Sequence, residues 1–295
     1  MNKKIEAILI LIRPYAWTNT ALPMLLANYI ATGSFDILAL LPYFLIVGPI
    51  FWGGGYTLND VIDYKTDSYH ELKKQRPIPL RWISRAEALV FACFMMGAGL
   101  TLMYLLDGKA FLVLLLMFLG HVIYTVPPLR AKTRKYLDLP FSGPLNSVCR
   151  LSIGWMAVSD VSTLPPELLF MLFFLTCFIY LLYRSPDVQA FIKDGIMNSY
   201  STLGVKRTIG ISFIFLLLFY GTWGYACLWG FLTPSALIFI PFSASIIPAA
   251  RFVFETLSKL PPQYFRQMYP ATYTAYLIAS WNFIVMVLAI RLFTK

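Results

Sequence analysis

Acidic side chains are scarce in this chain. Its 295 residues hold 14 Asp and Glu against 24 Lys and Arg, and charged residues of both signs make up only 13%. A water-facing domain is nearer a quarter charged, so an ordinary soluble fold is excluded. Histidine is rarer still. His70 and His121 are too few and too far apart for a histidine-held metal. The four cysteines, Cys93, Cys149, Cys177 and Cys227, have no paired spacing. That excludes a disulfide framework or a zinc pattern and leaves them as small core residues. A cleaved signal peptide is not expected, because the first apolar segment starts too far in and Arg13-Pro14 breaks it early.

Apolar residues are what the chain has in abundance. They form 59% of it, at a mean hydropathy of +0.69. Nine segments are long and apolar enough to span or nearly span a bilayer: 14–33, 38–58, 86–106, 110–127, 139–158, 165–184, 207–229, 235–254 and 271–292. Pro or Gly interrupts several of them, which a helix bundle tolerates. The expected fold is all-α and polytopic, a single integral-membrane domain over residues 1–295. Trp17, Trp52 and Trp229 near segment ends read as interfacial or packing residues.

The basic residues alternate between loops. Lys65, Lys73, Lys74, Arg76, Arg81 and Arg85 fall in one, and Arg130, Lys132, Arg134 and Lys135 in the next but one. Lys193, Lys206 and Arg207, then Arg251, Lys259 and Arg266, continue the pattern, while the intervening loops carry only Lys109. Positive loops stay cytoplasmic. Lys3 and Lys4 fall on that side, so the amino terminus is expected inside and, after nine spans, the carboxyl terminus outside. The net charge of +10 is this bias plus an anion site, and a nucleic-acid partner is not expected. A bacterial inner membrane is the expected location.

Against that background one stretch stands out. Asn59-Asp60-Val61-Ile62-Asp63-Tyr64-Lys65-Thr66-Asp67 puts three of the 14 acids within nine positions at the mouth of a membrane helix. Spacings of three and four share a helix face. Carboxylates gathered beside hydrocarbon repel one another and lose hydration unless a positive charge neutralises them. Mg²⁺, a hard cation that takes oxygen ligands, suits that need. The bland alternative is a solvated helix end with surface acids, and the six basic residues that follow within 25 positions argue against it.

A second acidic stretch, Asp187 to Gly195, lies 128 residues further on and returns to the same membrane face after four more spans. Between them runs a basic loop, Tyr124-Thr125-Val126-Pro127-Pro128-Leu129-Arg130-Ala131-Lys132. Two acidic faces with basic loops beside both suit one entity: a diphosphate bridged by divalent metal and clamped by Arg and Lys. Walls of Phe, Tyr, Leu and Met would hold a long apolar tail.

At these residues the chain resembles the UbiA superfamily of intramembrane prenyltransferases. The family's NDxxDxxxD motif is matched at Asn59, Asp60, Asp63 and Asp67. Lys74, Arg76-Pro77-Ile78 and Ile83-Ser84 match its basic continuation, and Tyr124, Pro127, Pro128, Arg130 and Lys132 its Y-x-x-P-P-x-R-x-K loop. Arg13-Pro14 resembles the family's start. The segments Arg13 to Ala21 and Ala250-Arg251-Phe252, with Asp187-Val188, look like the lycopene elongase branch. Quinone-type and ether-lipid members share the core motifs and remain alternatives.

The second motif departs from the family's D-x-x-x-D pattern. Asp187 matches its first Asp and Gly195 its Gly, but Phe191 stands in the place of the second Asp. Asp194 is a substitute ligand only if the helix breaks, because seven residues of helix separate it from Asp187 by roughly 10 Å.

The resemblance implies an enzyme that transfers a prenyl group from an allylic diphosphate to a lipid-soluble acceptor, with Mg²⁺ as cofactor and membrane lipid around it. The implied metal ligands are Asn59, Asp60, Asp63 and Asp67 on one side and Asp187, with Asp194, on the other. Lys74, Arg76, Arg130, Lys132 and Lys193 would bind diphosphate, and Tyr124 would cap it or line the cation pocket. Arg150, inside the fifth span, and Asn146 before it are further candidates, since a charge at that depth faces a polar cavity. A transporter or a non-catalytic scaffold is the competing class. A transporter more often shows internal repeats with broken helices at matching positions, and the asymmetry of the motifs and the metal-type acidic cluster argue against it.

Overall fold

The computed structural model describes residues 3–69, 73–184, 192, 196–261 and 270–293. Asp187, Phe191, Lys193, Asp194 and Gly195 lie outside the described residues, as do His70 and Arg266.

The described chain is all-helical. A short α1 (Lys3–Leu11) precedes nine helical rods among the described residues: α2 (Thr18–Thr32); α3 (Ile37–Leu45) running through a π-helical stretch into α4 (Gly53–Tyr69); α5 (Arg85–Leu106); α6 (Gly108–Thr125); α7 (Gly143–Met156); α8 (Pro166–Arg184); α9 (Ser199–Leu228); a broken rod of α10 (Phe239–Ala244) and α11 (Ile246–Leu257); and α12 (Pro270–Phe293). Nine spans are thus matched by nine rods. Five of these among the described residues are both long and apolar enough to cross a membrane by themselves. α2 and α7, at 15 and 14 residues, are shorter than the segments 14–33 and 139–158 from which they arise. Pro14 and Pro140 mark the turns that cut them.

The second rod differs most from the sequence expectation. The apolar segment 38–58 does not end at its last apolar residue, because the helix continues from Ile37 to Tyr69 through the whole acidic motif. Its π-helical stretch, Ile46–Trp52, carries Pro49, which has no N–H to give to the normal ladder. Just beyond it Gly54 lets α4 touch α5. A Cβ there would stand 2.7 Å from Met96 Cγ and 2.8 Å from the Ala92 carbonyl. Gly154 plays the same part between α7 and α2, where a Cβ would lie 2.5 Å from Met24 Cα.

Helix ends are set by local chemistry. Ser84 caps α5 in a reciprocal box with Glu87. Asp107 alone joins α5 to α6, accepting from the Lys109 and Ala110 amides. The core has two main parts. One packs Phe178, Phe219, Trp223 and Val285 of α8, α9 and α12. The other packs Phe51, Met96, Met103 and Met117 from the π-helical stretch, α5 and α6. Outward-facing residues such as Val90, Phe94, Leu105, Leu112 and Leu217 are exposed and apolar, as lipid-facing positions are.

The faces of the bundle follow from contacts. Lys4 pairs with Glu87 at the start of α5, while the Phe293 carbonyl accepts from Thr233 N beyond the far end of α9. Lys109, just past the other end of α5, pairs with Asp160, and Glu167, seven residues on, lies against Gly230 after α9, so α1 begins and α12 ends on opposite faces.

Candidate active site

The last three turns of α4 carry Asn59, Asp60, Asp63 and Asp67 to one end of the bundle. A helix turns about 100° per residue, so residues 60 and 67, seven apart, lie on one stripe, and 59 and 63 on the next. The structure uses that division. Arg76 Nη1 donates to Asp60 Oδ1 and to Asp67 Oδ2, each at 2.8 Å. Lys132 Nζ donates to Asn59 Oδ1 at 2.8 Å and to Asp63 Oδ2 at 2.7 Å. The motif, expected to converge on one cation, instead forms two pairs of oxygens, each gathered round one cationic nitrogen.

Further cations complete the cluster. Arg13 Nη2 donates to Asp60 Oδ1 at 2.5 Å, and its guanidinium lies 5.2 Å over the Tyr56 ring. Arg130 Nη2 donates to Asp63 Oδ1 at 2.9 Å. Arg13 and Arg130 both adopt left-handed backbone, φ 48 and φ 36, in the turns that follow α1 and α6. Asp60 and Asp67 are buried, at 3% and 4% exposure, so their charges would be costly without these partners. Burial pushes the Lys132 ammonium down to about 8, with the Asp63 carboxylate opposing it.

Among the described residues three carboxylates thus pair with four cations, an excess of positive charge that a bound anion would balance. Beside them the Tyr124 and Tyr180 hydroxyls hydrogen-bond to each other, and Arg184 Nη2 reaches both, at 3.5 and 3.4 Å. Tyr124, expected to cap a diphosphate or line the cation pocket, is thus joined to Tyr180 and Arg184. Lys74 does not join the cluster: it is exposed on the 3₁₀ turn Lys73–Gln75. Asn146 and Arg150 are buried on α7, with Arg150 4.7 Å over the Trp52 ring and donating to the Asn19 carbonyl at 3.1 Å.

Three residues enter that the sequence reading did not place in the site. Arg13 was legible as a charge at the edge of an apolar segment and as part of the family's start. Tyr180 carried only its spacing of four residues from Arg184 at the end of α8 as a signal, and Arg184 also its place three residues before Asp187.

Among the described residues no three Asp, Glu, His or Cys side chains form a ready chelate. Mg²⁺ seldom needs one. It is usually held by one or two carboxylates, with waters and substrate phosphates completing its shell. Each oxygen pair, already shaped round a positive nitrogen, fits that demand. Arg76 and Lys132 stand in for the cation's charge.

Comparison with known proteins gives the family and the fold. Residues 20–269 match the UbiA prenyltransferase family. Among curated proteins, the chain is 31% identical over 151 residues to lycopene elongase/hydratase of Corynebacterium glutamicum, covering 47% of this chain and 48% of that one. It is 29% identical over 140 residues to digeranylgeranylglyceryl phosphate synthase of Thermococcus gammatolerans, covering 48% and 47%. The chain thus spans about half the length of the curated relatives it matches. The fold is similar to a UbiA homologue from Archaeoglobus fulgidus bound to GPP and Mg²⁺, with a TM-score of 0.72 at 20% identity over 95% of this chain and 99% of that one. With the family profile covering most of its length, this chain belongs to the UbiA prenyltransferase family.

Proposed function

We propose that this chain transfers a prenyl group from an allylic prenyl diphosphate to a lipid-soluble acceptor within the membrane. The observation that carries the reading is the pairing of Asn59–Asp63 and Asp60–Asp67 round Lys132 and Arg76. A diphosphate brought to this cluster meets Arg13, Arg76, Arg130 and Lys132 as donors once they turn from carboxylate to phosphate oxygens. Asn59, Asp60, Asp63 and Asp67 would hold Mg²⁺, which would supply neutralisation of the leaving group's charge. The protein's own part is positional: it holds the diphosphate at the mouth, keeps the allylic carbon among apolar walls, and excludes water from it. The allylic C–O bond breaks with its electron pair leaving on diphosphate, a carbon of the acceptor bonds to the allylic carbon, and a proton is lost from the acceptor. Tyr56, Tyr124 and Tyr180 present aromatic faces near the cluster that stabilise positive charge without trapping it.

Asp187, with Asp194, supplies the second acidic face in this reading, and Lys193 a further phosphate donor. Support comes from the sequence alone, since these positions lie outside the described residues. Lys74 is assigned no direct contact, because its exposed turn leaves Arg76 as the basic group that reaches the motif.

A carotenoid acceptor of the lycopene type is the acceptor assignment. The similarity to lycopene elongase/hydratase supports it, together with the Arg13 to Ala21 segment. Glyceryl phosphate ether lipids and quinone precursors are the competing acceptors. Lipid mass spectrometry of a host that makes each acceptor, with and without the chain, separates them: a C₅-extended carotenoid supports the assignment, and a prenylated ether lipid or quinone replaces it.

The chain is an integral membrane protein. The amino terminus inside and the carboxyl terminus outside, in a bacterial inner membrane, is our orientation. The opposite-facing ends of α1 and α12 and the basic loops support it. Reporter fusions that place both termini on one side would contradict it.

A further inference from the structure

A second basic feature lies behind the catalytic helix. Residues 73–84 form a strap between α4 and α5. Arg76 leaves it on one side toward Asp60 and Asp67. On the other side Ile78 and Ile83 join Ala7, Leu11, Val61 and Ala88 in a small core that docks α1. Between this strap, α1, α4 and α5 is a cavity of about 560 Å³, lined among others by Lys4, Tyr64, Arg81, Trp82, Arg85 and Glu87. That size suits a small-molecule site.

The lining carries three cations against one carboxylate. Glu87 is already engaged, by Lys4 at 2.7 Å and by the Ser84 cap. Arg85 is held in place, with its Nε donating to the Val61 carbonyl at 3.2 Å and its guanidinium 4.6 Å over the Tyr64 ring. Arg81 sits in left-handed backbone, φ 56, at the lip. Ser68 and Ser84 add hydroxyls. This is the chemistry of a phosphate site with positive charge in excess.

The surroundings say what carries the phosphate. Arg85 and Glu87 of the first turn of α5 line the cavity, and Trp82 lines it as an interfacial aromatic does. Along α5 from Glu87, three and seven residues on, Val90 and Phe94 continue the same face and are 70% and 69% exposed. A polar pocket leading onto an exposed apolar stripe matches a molecule with an anionic head and an acyl tail. We propose that this cavity binds the phosphate headgroup of an anionic membrane phospholipid, with its chain lying along Val90 and Phe94. The bound lipid would brace the strap that carries Arg76. The proposal stands apart from the transfer reaction and is tested by binding.

The test uses the full chain in nanodiscs of phosphatidylcholine with a minor share of phosphatidylglycerol, then mild delipidation and native mass spectrometry of the lipids kept. Wild type is expected to keep phosphatidylglycerol over phosphatidylcholine. Arg81→Gln removes one cation at the lip and is expected to lower that retention about fivefold. Lys109→Gln, on the opposite face, is expected to leave it unchanged. Equal retention of the two lipids by wild type overturns the proposal. So does an equal effect of the two substitutions, which would mark a diffuse charge attraction. Displacement of phosphatidylglycerol by millimolar inorganic phosphate alone also overturns it, since the site would then be one for free phosphate.

Discussion

Arg76 Nη1 lies 2.8 Å from Asp67 Oδ2, so the strap after α4 folds back on the helix it has just left. The same nitrogen holds Asp60. One side chain thus closes the distance between two acids seven residues apart. It fixes the spacing that a cation bridging them would need, and it is itself a ready phosphate donor.

Arg76→Ala should therefore do two separable things. It removes a donor from the leaving group, lowering kcat/KM for diphosphate release by about 10²–10³. It also leaves Asp67 without its guanidinium, so Mg²⁺ should raise the melting temperature of this variant more than that of wild type. Arg76→Lys should restore only part of the rate, since an ammonium lacks the planar fork that reaches two carboxylates. An unchanged rate in Arg76→Ala would remove Arg76 from the site.

The second acidic stretch gives a graded expectation. Asp187→Asn should cost far more activity than Asp194→Asn, because Asp187 holds the motif position. The loss of one ligand is expected at about 10²–10³ in rate. Phe191→Asp, restoring the usual pattern, should keep or raise turnover. A silent Asp187→Asn beside a dead Asp194→Asn would reverse the assignment of this loop.

The close approach of α7 and α2 yields a stability prediction. Gly154→Ala places a methyl 2.5 Å from Met24 Cα and 2.8 Å from its carbonyl oxygen. Backbone cannot step aside as a side chain can, so a cost of about 1–3 kcal/mol is expected. Thermal melting in detergent reads it. Gly97→Ala, on α5 with nothing within 4 Å of its Cβ, is the matched control and should be near neutral.

The fold was largely legible because membrane helices announce themselves by hydropathy alone. Every expected span has its rod, and the motif residues Asn59, Asp60, Asp63 and Asp67 lie at the end of one of them. What hydropathy could not give was where helices stop. The α3–α4 rod passes its apolar boundary by eleven residues, from 58 to 69, because Asp and Arg partners replace water there. The motif's division into two pairs was also implicit in 100° per residue, but the cation that each pair would hold was not. The partners of Arg13 and Arg184 were hidden for a different reason. Each lies far in sequence from the residue it meets, 47 and 60 positions in turn, and only packing brings them together. Lys74, expected as a donor from its place in a basic run, lies exposed on the 3₁₀ turn, while Arg76 of the same run reaches the motif.

The most direct test is diphosphate release by the purified full chain from a panel of allylic diphosphates, with acceptor lipid extract, in Mg²⁺ and in excess EDTA. The variants are wild type, Asp63→Ala and Asp67→Ala. The account predicts release in Mg²⁺ by wild type only, loss of it in EDTA with recovery on added Mg²⁺ or Mn²⁺, and folded but inactive variants. Full release in EDTA, or by Asp63→Ala, would contradict it.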